Sequence, residues 1–224
     1  MKIKIVKDGP YVIDANIPVS DVVSIDSKDG GILDYEIEKR YEQTGSDKYI
    51  CRCGHSGNKP FCDGTHVKIG FDGTETDNRM CYDDEAEYVK GPVYDFMDNQ
   101  NLCAVARFCD RYEGFWYAFD NADEPHNKAY VEEVGCKCSS GRLTLIDKST
   151  GEKLEPQLEK EIYLVKDDPV EHLGPIYVKG GIQIIGADGF EYEVRNRVTL
   201  CRCGESGNKP FCDGTHVQCK HMEV

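Results

Sequence analysis

The feature that most constrains this chain is a sixteen-residue motif that occurs twice. Residues 51–66 read CRCGHSGNKPFCDGTH and residues 201–216 read CRCGESGNKPFCDGTH, so that only His55 and Glu205 differ. Chance does not produce a match of this length. The repeat therefore predicts two copies of one structural unit, each of which builds the same kind of site.

The similarity between the copies extends upstream of the motif. Residues 3–10, IKIVKDGP, resemble residues 162–169, IYLVKDDP. Each copy then passes through short β-branched segments separated by glycine-containing turns, a pattern typical of a small antiparallel sheet. The segments are YVIDANI, SDVVSI and ILDYEIEKRY in the first copy, and IYVKG, IQIIG, FEYEV and RVTLC in the second. We therefore expect an α+β fold that is mainly β.

Roughly ninety residues of different character separate the two copies. Residues 70–79 are predicted to form a linker. Residues 101–111 and 122–134 have helical composition, and Asn99 or Asn101 is a suitable N-cap for the first of these helices. The polar segment 147–156 is predicted to be a loop.

These changes in character predict three domains. They are an N-terminal module at 1–70, an insert at 80–160 and a C-terminal module at 161–224. The aromatic residues Phe115, Trp116, Tyr117 and Phe119 are expected to belong to the core of the insert, as most such clusters do.

Each motif contains four side chains of metal-ligand type. They are Cys51, Cys53, Cys62 and His66 in the first motif, and Cys201, Cys203, Cys212 and His216 in the second. Cys62 and His66 are four residues apart, so they share a face if a helix begins at Asp63. His55 is excluded as a shared ligand because Glu205 replaces it in the second motif. The repeat thus predicts two Cys3His sites.

Other polar residues of the motif are predicted to support these sites. Asp63 and Asp213 are good N-cap residues for a helix that carries the histidine. The hydroxyl groups of Ser56 and Ser206 are placed to donate to sulfur, and the ammonium groups of Lys59 and Lys209 to offset negative charge, as groups around metal ligands often do.

The ligand types alone leave the metal open. Three cysteines and one histidine are a normal set for structural zinc, and they are equally compatible with an iron–sulfur cluster. Zinc fingers usually separate paired cysteines by two to four residues. The single-residue gap between Cys51 and Cys53 favours iron–sulfur only mildly.

The motif resembles the CDGSH iron–sulfur domain of the mitoNEET-like family, whose pattern is C-x-C-x2-(S/T)-x3-P-x-C-D-G-(S/A/T)-H. This resemblance implies a [2Fe–2S] cluster in each motif, with the paired cysteines on the inner iron and the third cysteine and the histidine on the outer iron. Family members form dimers with two clusters, so the tandem copies imply an intramolecular pseudo-dimer that is a monomer overall. The implied function is electron transfer, or the handling of clusters and iron.

The insert carries four further cysteines, Cys103, Cys109, Cys136 and Cys138. Its CSSGRL segment resembles the CPSGAL ending of divergent single-cluster ferredoxins, with Ser139 in place of proline. That resemblance implies a third cluster, either [3Fe–4S] on Cys103, Cys109 and Cys138, or [4Fe–4S] with Cys136 added. Positions six apart on a helix lie about 120° from one another, so Cys103 and Cys109 share a cluster only if their segment is a loop. A ferredoxin-like insert without metal, or a dithiol at Cys136 and Cys138, remains open.

The charge of the chain limits its partners. A formal net charge of −14 disfavours phosphate backbones and anionic lipid surfaces, so we expect neither nucleic acid nor membrane as a partner. A redox partner or an apo-acceptor protein of basic character would be attracted. We find no signal-peptide-like apolar core and no apolar run of about 20 residues, which predicts a cytoplasmic protein with reduced thiols.

The sequence offers no catalytic pattern. It contains no Ser/His/Asp arrangement, phosphate-cradling glycine loop, or flavin or nucleotide fingerprint, so we expect no enzyme activity. The alternatives are a zinc-stabilised interaction protein, and a cluster donor rather than an electron carrier. An oxidoreductase would require a substrate pocket that the sequence does not indicate.

Overall fold

The computed structural model describes residues 1–167 and 172–223, which form three β-sheets and several short helices. The strands are β1 Lys2–Ile5, β2 Tyr11–Ile13, β3 Val19–Asp26, β4 Ile32–Arg40, β5 Lys48–Ile50, β6 Glu87–Lys90, β7 Tyr94–Asp98, β8 Leu143–Asp147, β9 Lys153–Leu154, β10 Glu161–Asp167, β11 His172–Lys179, β12 Gln183–Ile185 and β13 Arg197–Leu200. The helices are α1 Thr65–Lys68, α2 Tyr82–Glu85, α3 Phe115–Asp120 and α4 Pro125–Lys137. The predicted α+β, mainly β class is confirmed.

Each copy builds the same three-stranded unit. In the first copy β2 pairs antiparallel with β1 and with β5, and in the second β11 pairs antiparallel with β10 and with β13. The third strand of each unit ends one residue before the first cysteine of the motif, at Ile50 and at Leu200. Both motifs therefore leave their sheet from equivalent positions.

The two copies exchange equivalent strands. β3, from the first copy, pairs in parallel with β10 of the second, and Ile162 lies opposite Val19. β12, from the second copy, pairs in parallel with β1 of the first, and Ile184 lies opposite Ile3. The resulting sheets have the orders β12-β1-β2-β5 and β13-β11-β10-β3-β4. Both of these sheets thus contain strands of the two copies. The domain boundaries at 70 and 161 stay a prediction.

One aliphatic core joins the copies. Strand β1, KIKI, alternates exposed and buried positions, so that its isoleucines point to one side. The buried cluster there includes Ile3, Ile13 and Ile50 of the first copy and Ile162, Ile176 and Leu200 of the second. Burial of each such side chain stabilises the fold by about 1.5–3 kcal/mol. The packing of the two copies against each other is therefore mainly hydrophobic.

The insert forms the third sheet, β6-β7-β8-β9, with α3 and α4 packed on it. The helix predicted over 122–134 is confirmed as α4, which begins at Pro125, a favoured first helical residue. Phe115 and Phe119 are buried as expected, but Trp116 and Tyr117 are exposed, so the prediction of an all-core aromatic cluster is only half right.

The helix predicted over 101–111 is wrong. That segment contains two single 3-10 turns, Gln100–Leu102 and Phe108–Asp110, separated by non-helical chain. Val105 and Arg107 adopt left-handed backbone angles, φ 53° and 59°, which an α-helix does not allow. Asn99 does cap the first turn, since its side chain accepts from the backbone N–H of Asn101.

Three other local predictions need correction or refinement. The segment FEYEV contributes only an isolated bridge between Ile185 and Glu191 and is not a strand. The predicted loop 147–156 contains the two-residue strand β9. Residues 70–79 form no helix or strand, but they are fixed on the second copy, since the backbone N–H groups of Thr76 and Asp77 both donate to the carbonyl of Lys209. Among the described residues, no helix has the length and apolar character needed to cross a membrane.

Candidate metal centres

Equivalent backbone hydrogen bonds shape the two motif loops. The N–H of Cys51 donates to the carbonyl of Pro60 and that of Cys201 to the carbonyl of Pro210, each at 2.8 Å. The N–H groups of Cys62 and Cys212 return to the last strand of their own unit, at 2.8 and 2.9 Å. Each loop therefore folds back on its strand, which brings the third cysteine beside the strand that leads to the first.

The candidate donors come together in pairs. The Sγ atoms of Cys51 and Cys53 lie 3.8 Å apart, and those of Cys201 and Cys203 lie 3.7 Å apart. The Sγ of Cys62 lies 3.3 Å from Nδ1 of His66, and the equivalent distance from Cys212 to His216 is 3.4 Å. The predicted face-sharing of the third cysteine with the histidine is therefore what the structure shows.

The two-plus-two arrangement matches the donor set of a binuclear cluster. Such a cluster takes two protein ligands on each iron, whereas structural zinc takes four ligands around one ion. Within residues 1–167 and 172–223, no group of three or more His, Cys, Asp or Glu side chains surrounds a single ion position. The residues present therefore fit a [2Fe–2S] cluster in each motif.

The aspartates brace the loops, although not as the helix N-caps that were predicted. Helix α1 begins at Thr65 and its N-cap is Gly64. Asp63 accepts from the backbone N–H groups of Gly57 and Thr65, at 2.8 and 2.9 Å, and Asp213 makes the same two bonds. The bonds from Thr65 and Gly57 lower the pKa of the Asp63 carboxyl. Each aspartate thus ties the start of the loop to the turn that carries the histidine.

The serine hydroxyls have partners other than sulfur, whereas the charge-offsetting role of the lysines stays a prediction. The hydroxyls of Ser56 and Ser206 donate to the carbonyls of Phe61 and Phe211, at 2.6 and 2.7 Å, rather than to sulfur. The ammonium group of Lys59 donates to the carbonyl of His221, and that of Lys209 to the carbonyl of Ser206. A short polar side chain such as serine readily bonds the backbone of its own turn.

Burial sets the protonation of the donors. Burial raises the pKa of the Cys53 thiol to about 11, and it lowers the pKa of His216 to about 4. In the pair Cys201 and Cys203, the hydrogen bond from Cys203 lowers the pKa of Cys201 to about 7. His216 is therefore neutral near pH 7 and keeps a ring nitrogen free to bind metal.

The two motifs pack back to back. A Cβ added at Gly54 would lie 2.7 Å from the carbonyl oxygen of Cys203, and one added at Gly204 would lie 3.0 Å from that of Cys53. This contact requires glycine on both sides. His55 lies at the same junction, where its Nδ1 bonds the carbonyl of Cys53 and its ring stacks on His221.

Two residues near the second site were missed by the sequence. The buried hydroxyl of Tyr11 donates to the carbonyl of Cys201 at 2.8 Å, a contact between the two copies that no local pattern indicates. Cys219, which lies outside the repeated motif, packs with Cys201, Cys203 and Met222 in one buried cluster. Its position three residues after His216 was the only available signal.

The insert cysteines meet at a cavity. A cavity of about 100 Å³ is lined by Cys103, Cys109 and Cys138, together with apolar residues that include Phe108, Val134 and Leu143. Cys136 does not line it. Burial is the main reason that the pKa of Cys109 rises to about 12. The sequence allowed Cys103 and Cys109 to share a cluster only if the segment between them is a loop. The chain between them is not an α-helix, so this requirement is met.

The fold and the donors define a metal-binding protein with a duplicated thiolate and imidazole site. A family model described as the iron-binding zinc finger CDGSH type matches the chain twice, at residues 8–67 and 173–217. No curated protein and no solved structure matches the chain. Both segments belong to the CDGSH-type family, which confirms the family prediction in its tandem form. Because this family binds iron in iron–sulfur form, iron–sulfur binding is assigned to this chain.

Proposed function

We propose that this chain holds two [2Fe–2S] clusters and acts in electron transfer or cluster handling, without catalytic turnover of its own. The observation that carries the proposal is the pairing of donors: two thiols at 3.7–3.8 Å and a thiol with an imidazole at 3.3–3.4 Å, in both motifs. Cys51 and Cys53 would hold one iron of the first cluster, and Cys62 with His66 the other. The same assignment applies to the second motif.

The donor set determines the chemistry that each cluster supplies when bound. A [2Fe–2S] cluster accepts one electron, and replacement of one thiolate by neutral histidine removes about one unit of negative charge from the site. The added electron is then easier to accept, as in other histidine-ligated clusters. The protein's own part is to bind the irons and to exclude water from the inner cysteines, which are buried in both motifs.

The metal content decides between this proposal and a zinc-stabilised interaction protein. We expect anaerobically purified protein to contain at least about four irons and four sulfides per chain, with visible absorbance and a paramagnetic signal on reduction. Iron, sulfide and zinc analysis measures this directly. A colourless protein with two zinc ions and no sulfide would contradict the proposal.

We further propose that the insert binds a third cluster, which the cavity lined by Cys103, Cys109 and Cys138 supports. Three thiols around one mainly apolar cavity suit a [3Fe–4S] cluster, and the absence of Cys136 from the lining favours this type over [4Fe–4S]. We then expect about seven irons per chain in total. Replacement of Cys138 by serine should reduce that count to about four, since only the insert loses its ligand.

Cys81 provides the control for this measurement. It is an exposed free cysteine outside the cavity, so Cys81→Ser should leave the iron count unchanged. If wild-type protein and Cys138→Ser contain equal iron, the insert holds no cluster.

An electron carrier and a cluster donor differ in whether the clusters leave the protein. Incubation with an apo-ferredoxin should leave the clusters of a carrier in place and transfer those of a donor. We propose a basic protein as the partner because of the net charge of −14, and a cytoplasmic location because thiolate ligands require reduced cysteines.

A further inference from the structure

The two sites have nearly identical motifs but different surroundings. His216 is only 4% exposed and Cys212 is 2% exposed. Their counterparts His66 and Cys62 are both half-buried. The difference therefore comes from what packs on each motif, not from the motif itself.

The insert loop covers the second site. A Cβ added at Gly214 would lie 2.4 Å from Cγ2 of Val105 and 3.1 Å from the carbonyl oxygen of Cys103, whereas one added at the equivalent Gly64 meets nothing within 4 Å. The amide of Asn208 also donates to the carbonyl of Asn101, at 3.2 Å. Residues 101–105 of the insert therefore lie directly on the second motif.

Val105 is held there against its own backbone preference. Its φ of 53° is left-handed, a conformation in which a β-branched residue is a rare outlier. Strain of this kind persists only where the surrounding structure imposes it. The strain keeps a bulky side chain on Gly214, where glycine in the same backbone conformation would leave a gap.

Two exposed apolar side chains lie next to the first motif in the chain. Tyr49 is 53% exposed and Val67, next to His66, is 74% exposed. The residues at the equivalent positions of the second copy are Thr199, which is buried, and Val217, which is half-buried. Exposed apolar side chains thus flank the first motif along the chain, whereas their counterparts beside the second motif are more buried.

We propose that the first site is the docking surface for a basic protein partner, and that residues 101–105 keep the second site closed to that partner. The inference rests on the proposed function for the redox role of the sites. The net charge of −14 attracts a positively charged partner, and Tyr49 and Val67 supply the apolar contact at the open site.

Hydrogen–deuterium exchange tests the cover whether or not the protein is redox-active. In purified protein we expect the backbone amides of 214–218 to exchange about tenfold more slowly than those of 64–68, because the insert must open first. Val105→Gly should abolish most of this difference while relieving backbone strain, so the fold is retained. Tyr112→Gly is the matched control for the relief of backbone strain. Tyr112 has a similar φ of 54°, but the atoms nearest to a Cβ at Gly214 belong to Val105 and Cys103. Equal exchange in the wild-type protein, or no change in Val105→Gly, overturns the cover.

Reduction of cytochrome c, a basic haem protein, tests the docking surface. One electron passes from the dithionite-reduced protein, freed of excess dithionite, to each ferric haem. Val67→Lys should slow this reaction about tenfold at low salt, with iron content unchanged, since it places positive charge at the open site. Tyr117→Lys makes the same charge change on an exposed residue of the insert and should have little effect.

Equal slowing by Val67→Lys and Tyr117→Lys would overturn the docking surface, because overall charge alone would then explain both. A protein that contains no iron and reduces no cytochrome c would overturn the proposed function, while the exchange comparison would still decide whether the insert covers the second motif.

Discussion

Replacement of Cys201 by serine is expected to remove one cluster and leave the other in place. Cys201 is buried, and its Sγ lies 3.7 Å from that of Cys203. Serine is a weak ligand for iron, so the second motif would lose one of the two donors on its inner iron. Iron and sulfide should each fall by about two per chain, and the visible absorbance of the CDGSH-type clusters by about half.

Cys219 provides a matched control for that experiment. It is a buried cysteine in the same cluster as Cys201, and its thiol donates to the carbonyl of Thr215. Because it lies outside the repeated motif, Cys219→Ser should leave iron and sulfide unchanged. If Cys201→Ser keeps its full iron content, or if Cys219→Ser loses as much iron, the assignment of ligands in the second motif is wrong.

The sequence predicted the features that are encoded locally. The repeat predicted both donor sets, and β-branched segments such as SDVVSI in β3 and RVTL in β13 predicted strands, because each pattern depends on neighbours a few residues apart. The pairing of Cys62 with His66 also followed from a spacing of one helical turn, although the turn begins at Thr65.

Features that depend on distant partners were not predictable in this way. The pairing of β3 with β10 joins segments with ordinary strand patterns. Neither pattern indicates whether the partner strand belongs to the same copy of the repeat or to the other copy. The helical composition of 101–111 was misleading because tertiary packing overrides weak propensity. Leu102 and Phe108 are both buried, and the chain between them takes the left-handed turns at Val105 and Arg107.

The connection between the insert and the second site also depends on residues that are distant in sequence, so it was not predictable from local patterns. Arg197, in strand β13, is 1% exposed and donates two hydrogen bonds to the carboxylate of Glu155, at 2.7 and 3.0 Å. It also donates to the carbonyl of Cys138 at 2.9 Å. One side chain thus joins the strand that precedes the second motif to the cavity of the insert.

Arg197→Ala is expected to destabilise the protein by about 3 kcal/mol, since removal of one partner of a buried ion pair costs about 3–5 kcal/mol and Glu155 retains some contact with water. Arg197→Lys keeps the charge but not the forked guanidinium geometry. Its free energy of unfolding should therefore lie between those of the wild type and Arg197→Ala. The measurement is urea unfolding of anaerobic protein, followed by far-UV circular dichroism. We also expect faster deuterium exchange at 214–218 in Arg197→Ala, because the insert is then less firmly fixed to the second copy.

Arg40→Ala is the control for this loss of stability. Arg40 also pairs with a glutamate, Glu161, at 3.2 Å, but its side chain is 65% exposed. Exposed pairs of this kind contribute about 0–1 kcal/mol, so the control should unfold close to the wild-type urea concentration. Equal destabilisation by both variants would mean that general charge balance, rather than the buried contacts of Arg197, accounts for the effect. A loss below about 1 kcal/mol for Arg197→Ala would show that the insert and the second copy are held together mainly by their apolar contacts.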